Sequence, residues 1–204
     1  MIITKVEPSS KTKFKVYIED QFAFVLYKGE LSRYGISEGM KIDPSIIEKI
    51  NKEVILKRAK LRAMHLLEDM DRTEEGLREK LRQNLYPADV IEGAIDYVKS
   101  FGYIDDERYA ENFVRSKMNV KSKKEIRMLL LNKGVSIDLI DRAMEICYAE
   151  NSEEEAVKTI LRKKRFDPAS MDERQMQKMY NYLARKGFRY DVIRQVIQNS
   201  IDRA

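Results

Sequence analysis

The chemistry most visible in this sequence belongs to two clusters of basic side chains. Arg115, Lys117, Lys121, Lys123, Lys124 and Arg127 are accompanied within their run only by Glu125, and Lys158, Arg162, Lys163, Lys164 and Arg165 by no acid at all. Ammonium and guanidinium groups concentrated in this way suit contact with phosphates, the sequence-independent component of nucleic-acid binding. Lysine-rich helical surfaces are often merely solvated. The phosphate reading gains weight because the clusters occupy equivalent places in successive repeats, where they can line one face. Tyr109, Phe113 and Phe166 lie nearby and could stack on bases, although their helical spacing suits core packing better. Tyr180 and Tyr182 are open to the same two readings.

Catalytic chemistry finds less support. Asp105, Asp106 and Glu107 are the ligand type for a hard cation such as magnesium. Adjacent residues on a helix do not face one another, so Asp105 and Asp106 are better used as a cap and first-turn charge, with Arg108 or a neighbouring helix as an ion-pair partner. With one histidine and one cysteine, the usual nitrogen and sulfur metal shells cannot be built. Cys147 lies on the apolar side of its helix and reads as a small buried hydrophobe. No catalytic residue, cofactor or metal is expected.

The elements that must position the basic clusters repeat three times. Leu77, Leu81, Tyr86, Asp89, Val90, Ile91, Ala94 and Ile95 recur as Ile126, Leu130, Val135, Asp138, Leu139, Ile140, Ala143 and Met144, and again as Met179, Leu183, Phe188, Asp191, Val192, Ile193, Val196 and Ile197. The offsets are 49 and 53 residues with the internal spacing unchanged, which marks a repeat architecture. Each copy predicts two short amphipathic helices joined by a tight turn. Gly134 and Gly187 stand where a left-handed residue would close the first helix, whereas the first copy has Leu85 there and Pro87 beyond. Asp89, Asp138 and Asp191 fall near the start of the second helix, where their charge complements the macrodipole. Their role is read as structural.

A third helix precedes each pair. Ser122 with Glu125, Ser152 with Glu155 and Ser170 with Glu173 fit the capping-box spacing. Asp43-Pro44 opens a long helix through about Leu67, Thr73-Glu74-Glu75 opens the next, and Asp105 or Asp106 caps another through about Met118, after Gly102 has closed the one before. Asp167-Pro168 marks a turn. Before residue 43 the pattern changes: Phe14, Val16 and Ile18 alternate with polar or aromatic residues, and β-branched and aromatic types dominate from Phe22 to Tyr27, which predicts strands. Asp20-Gln21 is a weak turn and Ser37-Glu38-Gly39 a better one. This β-rich segment is short for independent folding.

Of the 204 residues, 43% are hydrophobic and 36% charged, a composition suited to thin modules with much exposed surface. No apolar run is long enough to span a bilayer, and Met1 opens no cleavable signal, so a cytoplasmic location is expected. A single cysteine excludes an intramolecular disulfide. The net charge of +5 is uneven: residues 51–110 carry 11 basic and 13 acidic side chains, whereas residues 151–204 carry 12 and 8.

The run Gly102-Tyr103-Ile104-Asp105-Asp106-Glu107-Arg108-Tyr109-Ala110 closely resembles the signature of the RecX family, bacterial regulators of the RecA recombinase. Arg72-Thr73-Glu74-Glu75-Gly76-Leu77-Arg78-Glu79-Lys80-Leu81 resembles that family's first-repeat helix. Gly76 stands where the family usually has Glu, which weakens an exposed helix by about 1 kcal/mol relative to Ala, and Lys121-Ser122 replaces a frequent glycine.

The resemblance spans roughly Ile46 to the C-terminus. It implies a mainly α protein: a tandem array of three three-helix repeats, right-handed bundle units in an elongated, curved arrangement, after a small N-terminal β-rich segment. The expected division is 1–42, 43–103, 104–150 and 151–204. It further implies a non-enzymatic, monomeric regulator that binds the RecA–single-stranded DNA filament and limits its ATPase and strand exchange, with the two basic clusters near DNA phosphate.

Two other classes compete. A stand-alone helix-turn-helix protein binding duplex DNA would need polar side chains aimed at base edges. The acids Asp89, Glu92, Asp138 and Asp141 oppose that in the first two copies, while Arg189 and Arg194 make the third less hostile. A repeat scaffold binding only protein would show no dependence on DNA.

Overall fold

In a computed structural model, residues 1–148 and 153–201 are described, apart from the side chain of Ala169. They form two compact units, residues 1–105 and 106–204.

The first unit opens with an antiparallel sheet of order β1-β2-β3, comprising β1 (Ile3–Pro8), β2 (Lys13–Ile18) and β3 (Gln21–Tyr27). The alternation predicted from the sequence is what buries Val16, Ile18, Phe24 and Leu26 on one face. The β2–β3 turn falls one residue earlier than expected. Glu19 and Asp20 both take positive φ, 48° and 63°, the backbone that a two-residue hairpin turn requires. A short helix α1 (Lys28–Tyr34), which the sequence pattern does not announce, follows directly on β3; the Glu30 carboxylate accepts the Tyr27 N–H at 2.7 Å and caps it. The Ser37–Gly39 turn forms as expected, with the Met40 N–H bonded to Ser37 O and Gly39 at φ +81°.

The long helix has the expected cap: Asp43 Oδ1 accepts the Ser45 N–H at 2.8 Å. It runs as α2 (Pro44–Ile50), a wide π-type turn over Asn51–Ile55 and α3 (Leu56–Asp69). Thr73 Oγ1 then caps α4 (Glu74–Gln83) by accepting the Gly76 N–H at 3.0 Å. Gly76 therefore sits in the first turn, donating to the cap, and not in an exposed helix interior. After α5 (Ala88–Ser100), one hydrophobic cluster runs from Ile3 and Phe24 through Ala59, Leu77 and Leu81 to Val98 and Ile104. The sheet and the first three-helix repeat thus share a single core, which is how so short a β segment is stabilised.

The second unit contains α6 (Asp106–Lys117), α7 (Lys123–Leu131), α8 (Ile137–Tyr148), α9 (Glu154–Lys163), α10 (Glu173–Arg185) and α11 (Tyr190–Ile201). In each repeat the outer helices pack on one another, α3 on α5, α6 on α8 and α9 on α11. The recurring apolar positions are the cores: Leu77, Leu81 and Ile95, then Ile126, Leu130 and Ile140, then Leu183, Ile193 and Ile197, all fully buried. Cys147 is buried in the second cluster, as its position on the apolar side implies.

The tight turn is the same in all three copies. Leu85, Gly134 and Gly187 have φ of 62°, 81° and 89°. Each N–H bonds back three residues and the next N–H five, as in Gly187 to Ala184 O and Phe188 to Leu183 O, the left-handed closure of a helix C-terminus. Leu85 adopts it without the glycine that favours it. Asp89, Asp138 and Asp191 all lie in the first turn of the following helix.

The cap of α10 differs from expectation. Asp172 and Gln175 form a reciprocal capping box, at 2.7 and 3.0 Å, two residues beyond the Ser170–Glu173 pair. Ser170 instead ends a 3-10 turn over Pro168–Ser170 and donates its hydroxyl to Asp167 O. Ser152 lies outside the described residues.

Candidate nucleic-acid interface

All the cations singled out in the sequence lie in the second unit, but their surroundings differ. Arg115 pairs with Glu111 at 3.3 Å, Lys121 with Glu125, and Arg127 with Asp141 on α8. Lys158 and Arg162, which have no acid within their own run, meet Glu155, one turn upstream of the first and two turns upstream of the second, at 2.8 and 3.6 Å. Among the described residues, the side-chain cations of Lys117, Lys123, Lys124, Lys163, Lys164 and Arg165 have no carboxylate partner. Arg165 has φ 51° and closes α9, with its N–H on Arg162 O.

The start of α7 is the organising point. Ser122 Oγ accepts the Glu125 N–H at 3.1 Å, the cap expected from the sequence. The Glu125 side chain does not close the box but turns to Lys121. The Glu153 carboxylate, 5% exposed, accepts the Lys123 N–H at 2.6 Å, placing a buried negative charge at the positive end of α7. The Lys123 ammonium lies 4.3 Å from the ring centroid of Tyr148. Burial, then the neighbouring Glu153 charge, push the Tyr148 phenol well above its ordinary range. Its hydroxyl is a buried group without a hydrogen-bond partner among the described residues.

The end of α10 docks onto this point. Ser122 Oγ donates to Lys186 O at 2.7 Å, so the second repeat's cap also satisfies a carbonyl of the third. A groove lined by Lys124, Glu125, Met128, Tyr182, Arg185 and Lys186 opens beside it, with the Glu125 carboxylate engaged by Lys121. Lys164 and Lys186 approach the Tyr182 ring at 4.9 and 5.9 Å, within cation–π range. Lys124 and Lys164, from different clusters in the sequence, thus join Arg185 and Lys186 around one tyrosine. Arg115 and Lys117, on α6, do not line this groove.

Arg185 and Lys186 escape a reading of the sequence because two adjacent cations before a glycine look like an ordinary helix C-terminus. Their docking on Ser122 spans 64 residues and leaves no local signal. Tyr109 and Phe113 are partly buried against the second core and lie nearly parallel to one another, 6.2 Å apart, with Lys133 over both. Phe166 packs against the third core. All three belong to packing. Arg189, which makes the third repeat less hostile to a DNA reader helix, is paired with Asp191. That pair, with the first-turn backbone, holds the Asp191 carboxyl below its ordinary range.

Asp106 opens α6 directly after Asp105, and Glu107 stands 3.9 Å from Arg142. Among the described residues no group of histidine, cysteine and carboxylate side chains could hold a metal ion, and no helix is long and apolar enough to cross a membrane.

Three helical triplets, each with the same left-handed turn between its second and third helices, define a tandem three-helix-repeat protein. Residues 59–97, 105–144 and 152–197 match, respectively, the first, second and third three-helix domains of RecX. The chain belongs to the RecX family of regulatory proteins. The regulatory protein RecX of Clostridium botulinum is 32% identical, covering 98% of this chain and 96% of its own length. That of Caldanaerobacter subterraneus subsp. tengcongensis is 30% identical, covering 97% and 98%. A crystal structure of regulatory protein RecX is similar over 97% of this chain and 98% of its own, with a TM-score of 0.61 and 25% identity. That of RecX from Lactobacillus salivarius covers 71% and 95%, with a TM-score of 0.61 and 29% identity.

Proposed function

We propose that this protein binds the RecA–single-stranded DNA filament and modulates it, chiefly by inhibiting its ATPase and strand exchange, and so regulates recombination and DNA repair. It acts as a monomer without catalysis of its own. The RecA partnership rests on membership of the family. Contact with DNA rests on one observation, the convergence of Lys124, Lys164, Arg185 and Lys186 around Tyr182 without a carboxylate partner among the described residues. Lys123, Lys163 and Arg165 extend this basic face, whereas the ion-paired Arg115, Lys121, Arg127, Lys158 and Arg162 contribute less, because their carboxylates must first be displaced. The division at 42/43, 103/104 and 150/151 makes each repeat one module of the array.

The test is the single-stranded-DNA-dependent ATPase rate of RecA from the same organism, with this protein titrated in at saturating DNA. Strong inhibition at a small fraction of the RecA concentration is expected. Inhibition only at amounts that sequester the DNA would reduce the protein to a general nucleic-acid binder.

A further inference from the structure

The first unit, which contains none of the cations singled out by the sequence, has a cationic cleft of its own. It is about 700 Å³ in volume and opens between the sheet, α3 and the turn after α4, with Lys13, Tyr27, Arg62, Asn84 and Tyr86 among its walls and Glu68 as the acidic side chain that also lines it. A general surplus of basic residues does not explain it, since residues 51–110 carry more acidic side chains than basic ones.

The charges around the cleft are of two kinds. Arg58 is already engaged: it meets both Glu30 oxygens at 2.6 and 2.7 Å, donates to Val25 O at 3.1 Å and lies 4.5 Å from the Tyr27 ring centroid. His65 shares a hydrogen bond with Glu68 at 3.2 Å. Lys13 and Arg62 have no carboxylate partner among the described residues. Arg62 Nε is moreover buried and lacks any hydrogen-bond partner there. A buried donor left unsatisfied is costly, and natural structures retain few of them. The Arg62 side chain that carries this one lines an open cleft together with a second uncompensated cation, a setting suited to an anion arriving from solution. The half-buried Tyr86 hydroxyl adds a neutral donor. The Asn84 side chain donates its amide to Lys80 O at 2.7 Å, which leaves its carbonyl oxygen as an acceptor. Two cations, a hydroxyl donor, an amide acceptor and aromatic walls in a space of this size fit a phosphoryl group carried on a nucleoside.

We propose that this cleft binds a phosphoryl group, with Arg62 and Lys13 as its charge partners. The group can come from a free nucleotide or from a phosphodiester of single-stranded DNA. This site is separate from the basic groove of the second unit and does not depend on it.

The experiment follows the Arg62 Nε–H and Tyr86 amide resonances of the full-length protein by NMR. The probes are thymidine monophosphate, thymidine, and an oligothymidylate without terminal phosphates. The nucleotide should shift both resonances and thymidine neither. Arg62→Gln should weaken the nucleotide at least tenfold, and Lys13→Gln, which leaves α3 intact, should do the same. A response to the oligonucleotide alone, lost in both variants, identifies the phosphodiester as the source. Silence of both resonances towards nucleotide and oligonucleotide alike, or equal binding by the two variants and the unaltered protein, overturns the proposal. Lys124→Glu combined with Lys186→Glu should leave the nucleotide response intact, so failure of the groove reading and failure of this one are distinguishable.

Discussion

The hydroxyl of Ser122 serves two repeats at once: it accepts the Glu125 N–H as the cap of α7 and donates to the carbonyl oxygen of Lys186 at the end of α10, 2.7 Å away. The next residue, Gly187, has φ +89°, and a Cβ there would stand 2.9 Å from Ser122 Oγ and 3.1 Å from Lys124 Cβ. The conformation that closes α10 and the close approach that docks it on α7 therefore meet at adjacent residues.

Ser122→Ala should destabilise the protein by about 1–2 kcal/mol, through loss of a cap and of the partner of the Lys186 carbonyl. Gly187→Ala should cost roughly 1–3 kcal/mol, from the left-handed backbone and the close approach. The double variant should cost less than the sum, because removing Oγ relieves the nearest clash. A double-mutant cycle by urea denaturation checks this, and strict additivity would refute the coupling.

Leu85→Gly should stabilise the first unit. Leu85 holds φ 62° and is 38% exposed. A left-handed L-residue costs about 1–2 kcal/mol, while glycine adds roughly 0.5–1 kcal/mol of chain entropy to be lost on folding. These two terms leave a gain of about 0–1.5 kcal/mol, reduced by what the covered part of the Leu85 side chain contributes, and read as a higher urea midpoint at unchanged slope.

The groove makes a charge prediction that separates free cations from paired ones. Lys124→Glu with Lys186→Glu should weaken binding to single-stranded DNA and lower the salt slope by about 0.7 for each phosphate that is no longer neutralised. Arg115→Gln removes a cation already matched by Glu111 and should change the slope little. Fluorescence anisotropy over a salt series measures both, and equal effects would refute the assignment of the groove.

What is legible in the sequence follows the range of the interactions involved. The repeats can be read because Leu81, Leu130 and Leu183 recur on buried faces of helical period, a constraint each residue carries locally. Left-handed closures are visible at Gly134 and Gly187 and hidden at Leu85 and Arg165, where the same closing hydrogen bonds form on a backbone that these residue types disfavour. The α10 cap is ambiguous in the sequence because two boxes, Ser170–Glu173 and Asp172–Gln175, overlap, and the 3-10 turn after Asp167 decides for the second. Helix α1 escapes because no break residue separates it from β3. The basic face is only half legible, since the Arg127–Asp141 pair joins different helices and Arg185 and Lys186 reach Lys124 only through the docking at Ser122.

Glu74 should make the first unit acid-sensitive. Its carboxylate bridges helices, with Arg78 at 2.5 Å on α4 and Lys99 at 2.9 Å on α5, and Arg78 continues to Glu92 at 2.9 Å. Burial pushes the Glu74 carboxyl up, but hydrogen bonds from Lys99 and Arg78 outweigh it and hold the group below its ordinary value. A folded-state pKa below the unfolded one means that the unfolded chain takes up the proton first as pH falls. The stabilisation is therefore complete above the ordinary carboxylate range and is lost as pH drops through the folded value. Glu74→Gln should cost about 1 kcal/mol near neutrality, since the network is partly exposed to solvent, and the cost should shrink towards zero in acid. Urea midpoints of both proteins across an acid pH series measure this. A difference that stayed constant with pH would assign the role of Glu74 to packing and not to its charge.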